Sequence, residues 1–389
     1  MRKPRDTFVL KYKDDNMQNS LILAVIGAGE AALPILKKAQ EMGVSTLAFG
    51  HSDSLAKGFS TFFIEADIFD IEYIYIKCLE YEVKGIIASS EVTTEVTAFL
   101  AAKLGLPGND VKQGFGAKNK YTMRTKVRGL TTVKQPWFQL FQGNIDFDFP
   151  VVVKALDSCG KRGVSIAYNH DDLQKALAYA RENSKQGQVL IEEYLEGGKE
   201  YSVECICGNG YHDIVQFTEK ESSGPPHFTE LAHHQPAELS IDFKERMRVA
   251  VVDILQVLGL HCGMAHMELK VIQDEIYFIE VGARGGGDHI ADTLTINSTD
   301  FDYFKAAIEC SLGIYVHKEV KQLAYTGIYF HCKQNESLAP LFQKAKTAEW
   351  CISNTVKDDA FHTASSNVET AESGYVIYKS DKRITISNC

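Results

Sequence analysis

MAHMELKVIQDEIYFIEVGARGGGD, residues 264–288, is the stretch that decides the fold and most of the chemistry. Ala265, Met267, Leu269 and Val271 alternate with His266, Glu268 and Lys270, the period-2 pattern of a strand with one apolar and one polar face. Ile276 to Val281 is a near-continuous apolar run broken only by Glu280. With Gln273-Asp274-Glu275 as a three-residue hairpin loop, Ile272 faces Ile276, and the pairing places Glu268 opposite Glu280 with Cβ atoms roughly 5 Å apart on one face. Two carboxylates so placed repel unless a cation neutralises them, and an all-oxygen pair suits Mg²⁺ that also carries substrate phosphates. Directly afterwards Gly282-Ala283-Arg284-Gly285-Gly286-Gly287-Asp288 offers a guanidinium and bare backbone amides to an anionic transition state. A register shifted by one residue would make this an ordinary solvated strand face, but Glu280, after four apolar neighbours, would then have no account.

Upstream, Leu21 to Ile26 reads as a buried strand, Gly27-Ala28-Gly29 as a turn into a helix reaching Met42, and Val44 to Phe49 as a second strand. Val83 to Ala88 and Thr94 to Leu104 repeat the strand-helix alternation, a doubly wound α/β layout. From Gly116 the texture changes. A polar helix over 118–127 precedes the strand Val151 to Ala155, the loop Asp157-Ser158-Cys159-Gly160-Lys161-Arg162-Gly163, and the strand Val164 to Ala167. That loop has two glycines for close approach to a phosphate and two adjacent cations, but it lies between strands, so it suits a flap over a nucleotide rather than a Walker loop. Lys154 ends an apolar strand, where an ammonium needs an anion. A helix with Leu173, Ala176, Leu177 and Ala180 on one stripe follows, then strands Val189 to Glu193 and Tyr201 to Cys207. Ser222 to Leu239, rich in Gly, Pro, His and Ser, reads as a long loop near the active site. The clearest helix carries Met247, Ala250, Val251, Ile254, Leu255 and Leu258, with Asp242 as expected N-cap and Gly259 as stop.

The whole chain, 389 residues with 45% hydrophobic and 24% charged, has room for two or three domains and is neither disordered nor membrane-like in composition. A net charge of −10 disfavours nucleic acid, leaving only a local basic cleft, for which Lys120, Lys154, Lys161, Arg162 and Arg284 are the candidates. The nine cysteines show no zinc-ligand spacing, and no apolar run reaches membrane-spanning or signal-peptide length, so reduced thiols, no membrane contact and a cytoplasmic location are expected.

Taken in order, Asn119-Lys120-Tyr121-Thr122-Met123-Arg124, Phe149-Pro150 through Lys154, the glycine loop, Glu192-Glu193-Tyr194-Leu195, Glu200 through Glu204, His266 through Lys270, and Glu280 through Arg284 resemble the ATP-grasp superfamily of carboxylate–amine ligases. The resemblance covers Leu21 to Gly313. Glu230, His233 and Pro236, with Arg284 through His289, are most similar to the L-amino-acid ligase branch, the alanine–anticapsin type. It implies α/β and α+β architecture: an N-terminal extension (1–20), a Rossmann-like pre-ATP-grasp domain (21–115), a small lobe closing over ATP (116–195), a large lobe with the metal and catalytic site (196–320), and a small C-terminal domain (321–389). By the same resemblance Lys120 and Lys154 reach ATP, and Ser158, Gly160, Gly163 and Val164 belong to the loop closing over its phosphates. Glu193, Tyr194 and Leu195 hold adenine and Glu200 the ribose. Glu268 and Glu280 bind Mg²⁺, with Mn²⁺ an allowed substitute. Arg284 steadies an acyl phosphate, and Glu230, His233, Gly286 and Gly287 belong to the substrate side. Two departures stand out: Asn119 where many relatives have Asp, and Gly282 where many have an Asn metal ligand.

The reaction implied is ATP-dependent activation of a small carboxylic acid, an amino acid by preference, as an acyl phosphate that an amine then attacks. A homodimer is an allowed assembly. A purine-biosynthesis or carbamoyl-phosphate type of ATP-grasp enzyme is the alternative within ligases. From another class, an NAD-dependent oxidoreductase would use Gly27-Ala28-Gly29 as a dinucleotide turn, although Asp53 is the first acid after the second strand. Thermal melts separate the classes: ATP with Mg²⁺ should raise the midpoint and NAD(H) should not, and the reverse pattern would overturn the ligase reading.

Overall fold

The computed structural model describes residues 21–112, 115–158, 160, 162–225, 228–357, 361 and 373–389; the N-terminal extension 1–20 and the loop residues Cys159 and Lys161 lie outside them. The described N-terminal unit runs β1 (Ile22–Ile26), α1 (Leu33–Glu41), β2 (Ser45–Gly50), β3 (Phe62–Glu65), α2 (Ile71–Glu80), β4 (Gly85–Ala88) and α3 (Thr94–Leu104). Its four strands are parallel in the order β3-β2-β1-β4. Leu23 and Val25 pack on the α1 side, and Ile22, Ala24 and Ile26 pack on the α2 and α3 side, so β1 is apolar throughout because both its faces are covered. Gly27 has φ +91°, and a Cβ there would come within 2.5 Å of the Ser89 hydroxyl, which explains the glycine by packing against the end of β4.

After α4 (Lys120–Val127), a small antiparallel sheet is formed by β5 (Phe138–Leu140), β6 (Val151–Ala155), β7 (Val164–Ala167) and β8 (Val189–Glu193) in the order β5-β8-β6-β7. The apolar stripe of α5 (His170–Glu182) covers it, with Leu173, Ala176, Leu177 and Ala180 all buried against Val151, Val153 and Ile191.

The rest of the chain builds one antiparallel sheet of eight strands, ordered β13-β12-β9-β10-β11-β14-β16-β15. In chain order these are β9 (Lys199–Gly208), β10 (Tyr211–Ser222), β11 (Glu230–Gln235), β12 (Gly263–Ile272), β13 (Glu275–Gly282), β14 (Tyr325–Phe330), β15 (Cys351–Asn354) and β16 (Tyr375–Ser380). The helices α6 (Ile241–Leu258), α7 (Thr295–Ser298), α8 (Tyr303–Ser311) and α9 (Ala339–Ala345) fall between them. Residues 321–389 thus contribute three strands to the same hydrogen-bonded sheet as β9 to β13. Among the described residues no helix is long and apolar enough to cross a membrane.

The expectations for Ser222 to Leu239 and for the start of α6 need correction. Ser222 to Leu239 is not one long loop: β10 extends to Ser222 and β11 lies in the interior of the sheet between β10 and β14. The strand escaped notice because its buried side chains are polar; Gln235 donates to the Thr218 and Thr295 hydroxyls at 3.0 Å each, and His234 Nδ1 meets the Tyr378 hydroxyl at 2.9 Å. The N-cap of α6 is Ser240, whose side chain accepts the Phe243 N–H, and not Asp242.

α6 lays its whole apolar stripe on one face of the large sheet, against Tyr201, Val203, Met267, Leu269, Phe278 and Val281. That leaves Glu200, Ser202, Glu204, Lys220, His266, Glu268, Lys270 and Glu280 on the opposite face. The hairpin joining β12 and β13 differs from the three-residue loop expected. Ile272 pairs with Glu275 across a two-residue turn in which Gln273 (φ +48°) and Asp274 (φ +62°) are both left-handed. That turn alone would set Glu268 opposite Ile279 and aim Glu280 with Met267 into the α6 core. A bulge at Ile279 inserts one unpaired residue between the Leu269–Phe278 and Glu268–Glu280 pairs, which restores the two glutamates to one face. Deleting Ile279 should straighten the ladder while leaving Glu280 opposite Glu268 and Val281 opposite Met267. Thermal melts of the deletion variant should therefore still respond to ATP with Mg²⁺; loss of that response in a variant that still unfolds cooperatively would show that the bulge itself, and not only the pairing, positions the glutamates.

Candidate active site

Between the small sheet and the polar face of the large one lies a cleft of about 1110 Å³, open to solvent. Lys120, Lys154, Ser158, Gly160, Val164, Glu193, Tyr194, Leu195, Glu200, Glu268 and Glu280, all singled out in the sequence, line it together with Arg162. Gly163 does not; its φ of +71° and its close approach to Ala155 and Asn183 make it a turn residue beneath the loop. Glu230, His233, Arg284, Gly286 and Gly287 also lie outside this lining. Arg284 borders a second, smaller cavity of about 450 Å³ with Ala88, Thr97 and Met264.

The anion that Lys154 requires is supplied by the chain itself. Glu192, 1% exposed, sits 2.5 Å from Lys154 Nζ and 2.6 Å from Arg124 Nε. Burial alone would raise the Glu192 carboxyl pKa, but Arg124 and Lys154 outweigh it and bring it down to about 2. At the far wall, Lys120 Nζ donates to the Ser158 carbonyl at 2.6 Å and stands 3.6 Å from Glu280, so it joins the loop to the facing glutamates. Lys270 donates to the Leu195 carbonyl at 2.8 Å and lies 3.8 Å from Glu200, and burial lowers its pKa more than Glu200 raises it.

Lys220 is the side chain that sequence reading missed. It is buried on β10, 2.7 Å from Glu268 Oε1 and 3.1 Å from Glu230 Oε1. Burial opposes its charge, yet Glu230 and Glu268 hold its pKa well above the usual lysine value. Burial likewise opposes charge on Glu268, while Lys220 and His266 keep that carboxyl well below its usual range. Lys220 gives no signal because the sequence reading places no strand between Cys207 and Ser222, and residues that look like a loop follow it. Burial also disfavours charge on His266, but Glu204 beside it brings the imidazole up to about 9.

Arg284 is half-buried against the N-terminal unit: its Nε is 3.1 Å from Glu91 and its Nη1 donates to the Gly285 carbonyl at 2.8 Å. Glu91 opens a 3-10 turn between β4 and α3 whose sequence carries no motif, so only the fold reveals the pair. Gly282, one of the two departures noted, fits the same contact, since a Cβ there would come within 2.8 Å of the Glu91 carboxylate. The Gly286 amide is not bare: its N–H is donated to Glu204 at 2.9 Å. His233 is fully buried with no hydrogen-bond partner on either ring nitrogen, its Nε2 3.7 Å from Asp288.

The family profile described as ATP-grasp domain matches residues 147–292, which holds β6 through β13 and both facing glutamates. The chain carries an ATP-grasp domain. The structure of an L-amino acid ligase from Bacillus licheniformis is similar over 94% of each chain, with a TM-score of 0.75 and 19% identity, a likeness of fold. Formate-dependent phosphoribosylglycinamide formyltransferase from Bacillus subtilis (strain 168) is 22% identical over 317 residues, 75% of this chain and 78% of that one. Dapdiamide A synthase from Enterobacter agglomerans is 27% identical over 242 residues, 56% of this chain and 55% of that protein.

The buried triad at the ATP-grasp cleft wall has a direct test. Glu192→Gln leaves Arg124 buried beside an uncharged amide and should cost roughly 3–5 kcal/mol at neutral pH by urea unfolding. Because the native carboxyl pKa is depressed, its contribution is present above about pH 4.5 and is lost as pH falls toward about 2. The variant should lack that part of the acid slope, and an unchanged slope would remove Glu192 as its source.

Proposed function

We propose that the protein is an ATP-dependent ligase that activates a small carboxylic acid as an acyl phosphate and joins it to an amine. The observation that carries this reading is the facing pair Glu268 and Glu280 in a cleft that also holds Lys120, Lys154 and a glycine loop. At about 5 Å and an effective dielectric of about 20, two carboxylate charges repel by about 3 kcal/mol, a cost that a bound cation reverses.

The residues fit Mg²⁺. Lys220 occupies Glu268 Oε1 and leaves Oε2 available, Glu280 is half-exposed, and both donors are hard oxygens, as a cation that takes its other ligands from phosphates and water requires. Among the described residues no group of three or more His, Cys, Asp and Glu is disposed to hold a metal, which matches a cation delivered with the nucleotide rather than one held in a protein cage. When bound, Mg²⁺ would neutralise charge developing on the transferred phosphoryl group.

The chain's own groups then have distinct tasks. Lys120, Lys154 and the Ser158 to Val164 loop embrace the phosphates, Glu193 to Leu195 present backbone to the adenine, and Glu200 receives the ribose hydroxyls. The substrate carboxylate oxygen attacks the γ-phosphorus and ADP leaves; the amine nitrogen then attacks the acyl carbon and phosphate leaves. Both steps depend on positioning and on excluding water more than on a protein nucleophile. Arg284 faces the acyl phosphate, and Glu230 and His233, both buried outside the nucleotide cleft, belong to the substrate side. An amino-acid substrate is favoured by the polar, His-bearing β11. The formyltransferase relative, which aligns over most of both chains, favours a purine-type substrate as the second reading.

Phosphate release from ATP with Mg²⁺, measured over a panel of amino-acid pairs, should occur only with both an acid and an amine present. Glu280→Ala should reduce it at least a hundredfold; undiminished turnover would remove the metal assignment. Turnover with a phosphoribosyl amine and none with amino acids would select the second reading.

A further inference from the structure

Glu204 on β9 has no exposed surface and does not line the nucleotide cleft. Its Oε2 accepts the Gly286 N–H at 2.9 Å and lies 3.3 Å from the Tyr303 hydroxyl, while its Oε1 is bonded to Nδ1 of His266. His266 turns its other nitrogen, Nε2, toward Glu268 Oε1 at 3.5 Å. One buried carboxylate therefore gathers β12, α8 and the glycine loop after β13.

The seat is close-fitting. A Cβ at Gly286 would come within 2.7 Å of His266 Nδ1, 2.8 Å of Glu204 Oε1 and 2.9 Å of Ile290, whereas Gly287 next to it has open space. Gly286 stands two residues after Arg284, whose guanidinium is held on its other side by Glu91 at 3.1 Å. Beyond the seat, Asp288 and His289 both adopt left-handed backbone (φ +51° and +63°) before a π-helical turn over Ile290–Leu294. Such backbone persists only where its surroundings hold it in place.

We propose that Glu204, with His266, is the positioning residue of the glycine loop: by holding the Gly286 amide it fixes where Arg284 presents its guanidinium, and through His266 it ties that loop to the carboxylate of Glu268. The same network explains why Gly286 must be glycine although its amide is not offered to substrate. This role rests on the ligase reading above, and it concerns residues that act through Arg284 and Glu268 without touching the nucleotide.

The test uses the full-length protein and its Glu204→Ala, Glu204→Gln and Gly286→Ala variants. In Glu204→Ala, hydrogen exchange over 284–289 should rise at least tenfold while the α6-covered part of β12 is unchanged, and the thermal shift produced by ADP with Mg²⁺ should persist. With an amino-acid pair the wild type accepts, kcat should fall at least a hundredfold with KM for ATP within threefold. Glu204→Gln, which keeps an acceptor for the Gly286 amide, should recover part of the loss. Gly286→Ala, which displaces the loop without altering the carboxylate, should reproduce the Glu204→Ala pattern and serves if that variant does not fold. Wild-type exchange in the loop, or kcat within twofold in both Glu204→Ala and Gly286→Ala, overturns the proposal. Absence of any ADP response in the wild type would instead count against the nucleotide reading, with the exchange measurement still deciding the role of Glu204.

Discussion

A single inserted residue governs the polar face of this protein. β12 and β13 are joined by a two-residue turn, and in an antiparallel ladder that turn would put Glu280 on the face that α6 covers. The bulge at Ile279 shifts the register once, between Leu269 and Glu268, and everything beyond it changes face. With the bulge, Glu280, Glu268, His266 and the approach to Arg284 look into the cleft, while Met267, Leu269, Phe278 and Val281 stay under the helix.

From that constraint follows a charge pattern in which several carboxylates near the cleft have a defined counter-charge. Glu192 is shared by Arg124 and Lys154, Glu268 and Glu230 share Lys220, Glu280 lies near Lys120, and Arg284 takes Glu91. Buried ion pairs do not by themselves favour folding, because desolvation cancels much of their attraction. Their use here is geometric: they hold long side chains in one arrangement around a space that receives a polyanion. The N-terminal unit takes part through Glu91, so Arg284 is set by two units of the chain together.

Much of this was legible in the sequence. Strands β6, β7 and β8 and helix α3 have the bounds that their apolar runs indicate, because their patterns are uninterrupted and each packs one clear apolar face. The residues expected around ATP line one cleft almost in full, three of them (Lys154, Val164 and Glu193) on those same elements. What was not legible shares one feature. β11 buries polar residues, Lys220 precedes it, Glu91 opens a 3-10 turn without a motif, and Glu204 acts through a neighbouring strand. In each case the informative partner is ten or more positions away.

The sequence by itself determined the strand and helix periods, the order of the motifs and the residue types available for binding phosphate and a divalent cation, because these depend on local pattern and side-chain chemistry. Only the tertiary structure decided the register of the β12–β13 hairpin, the partners of Lys220 and Arg284, and the seating of Gly286 on Glu204. Those depend on which strands lie side by side, and a one-residue bulge, invisible in composition or period, is enough to exchange the two faces of a strand.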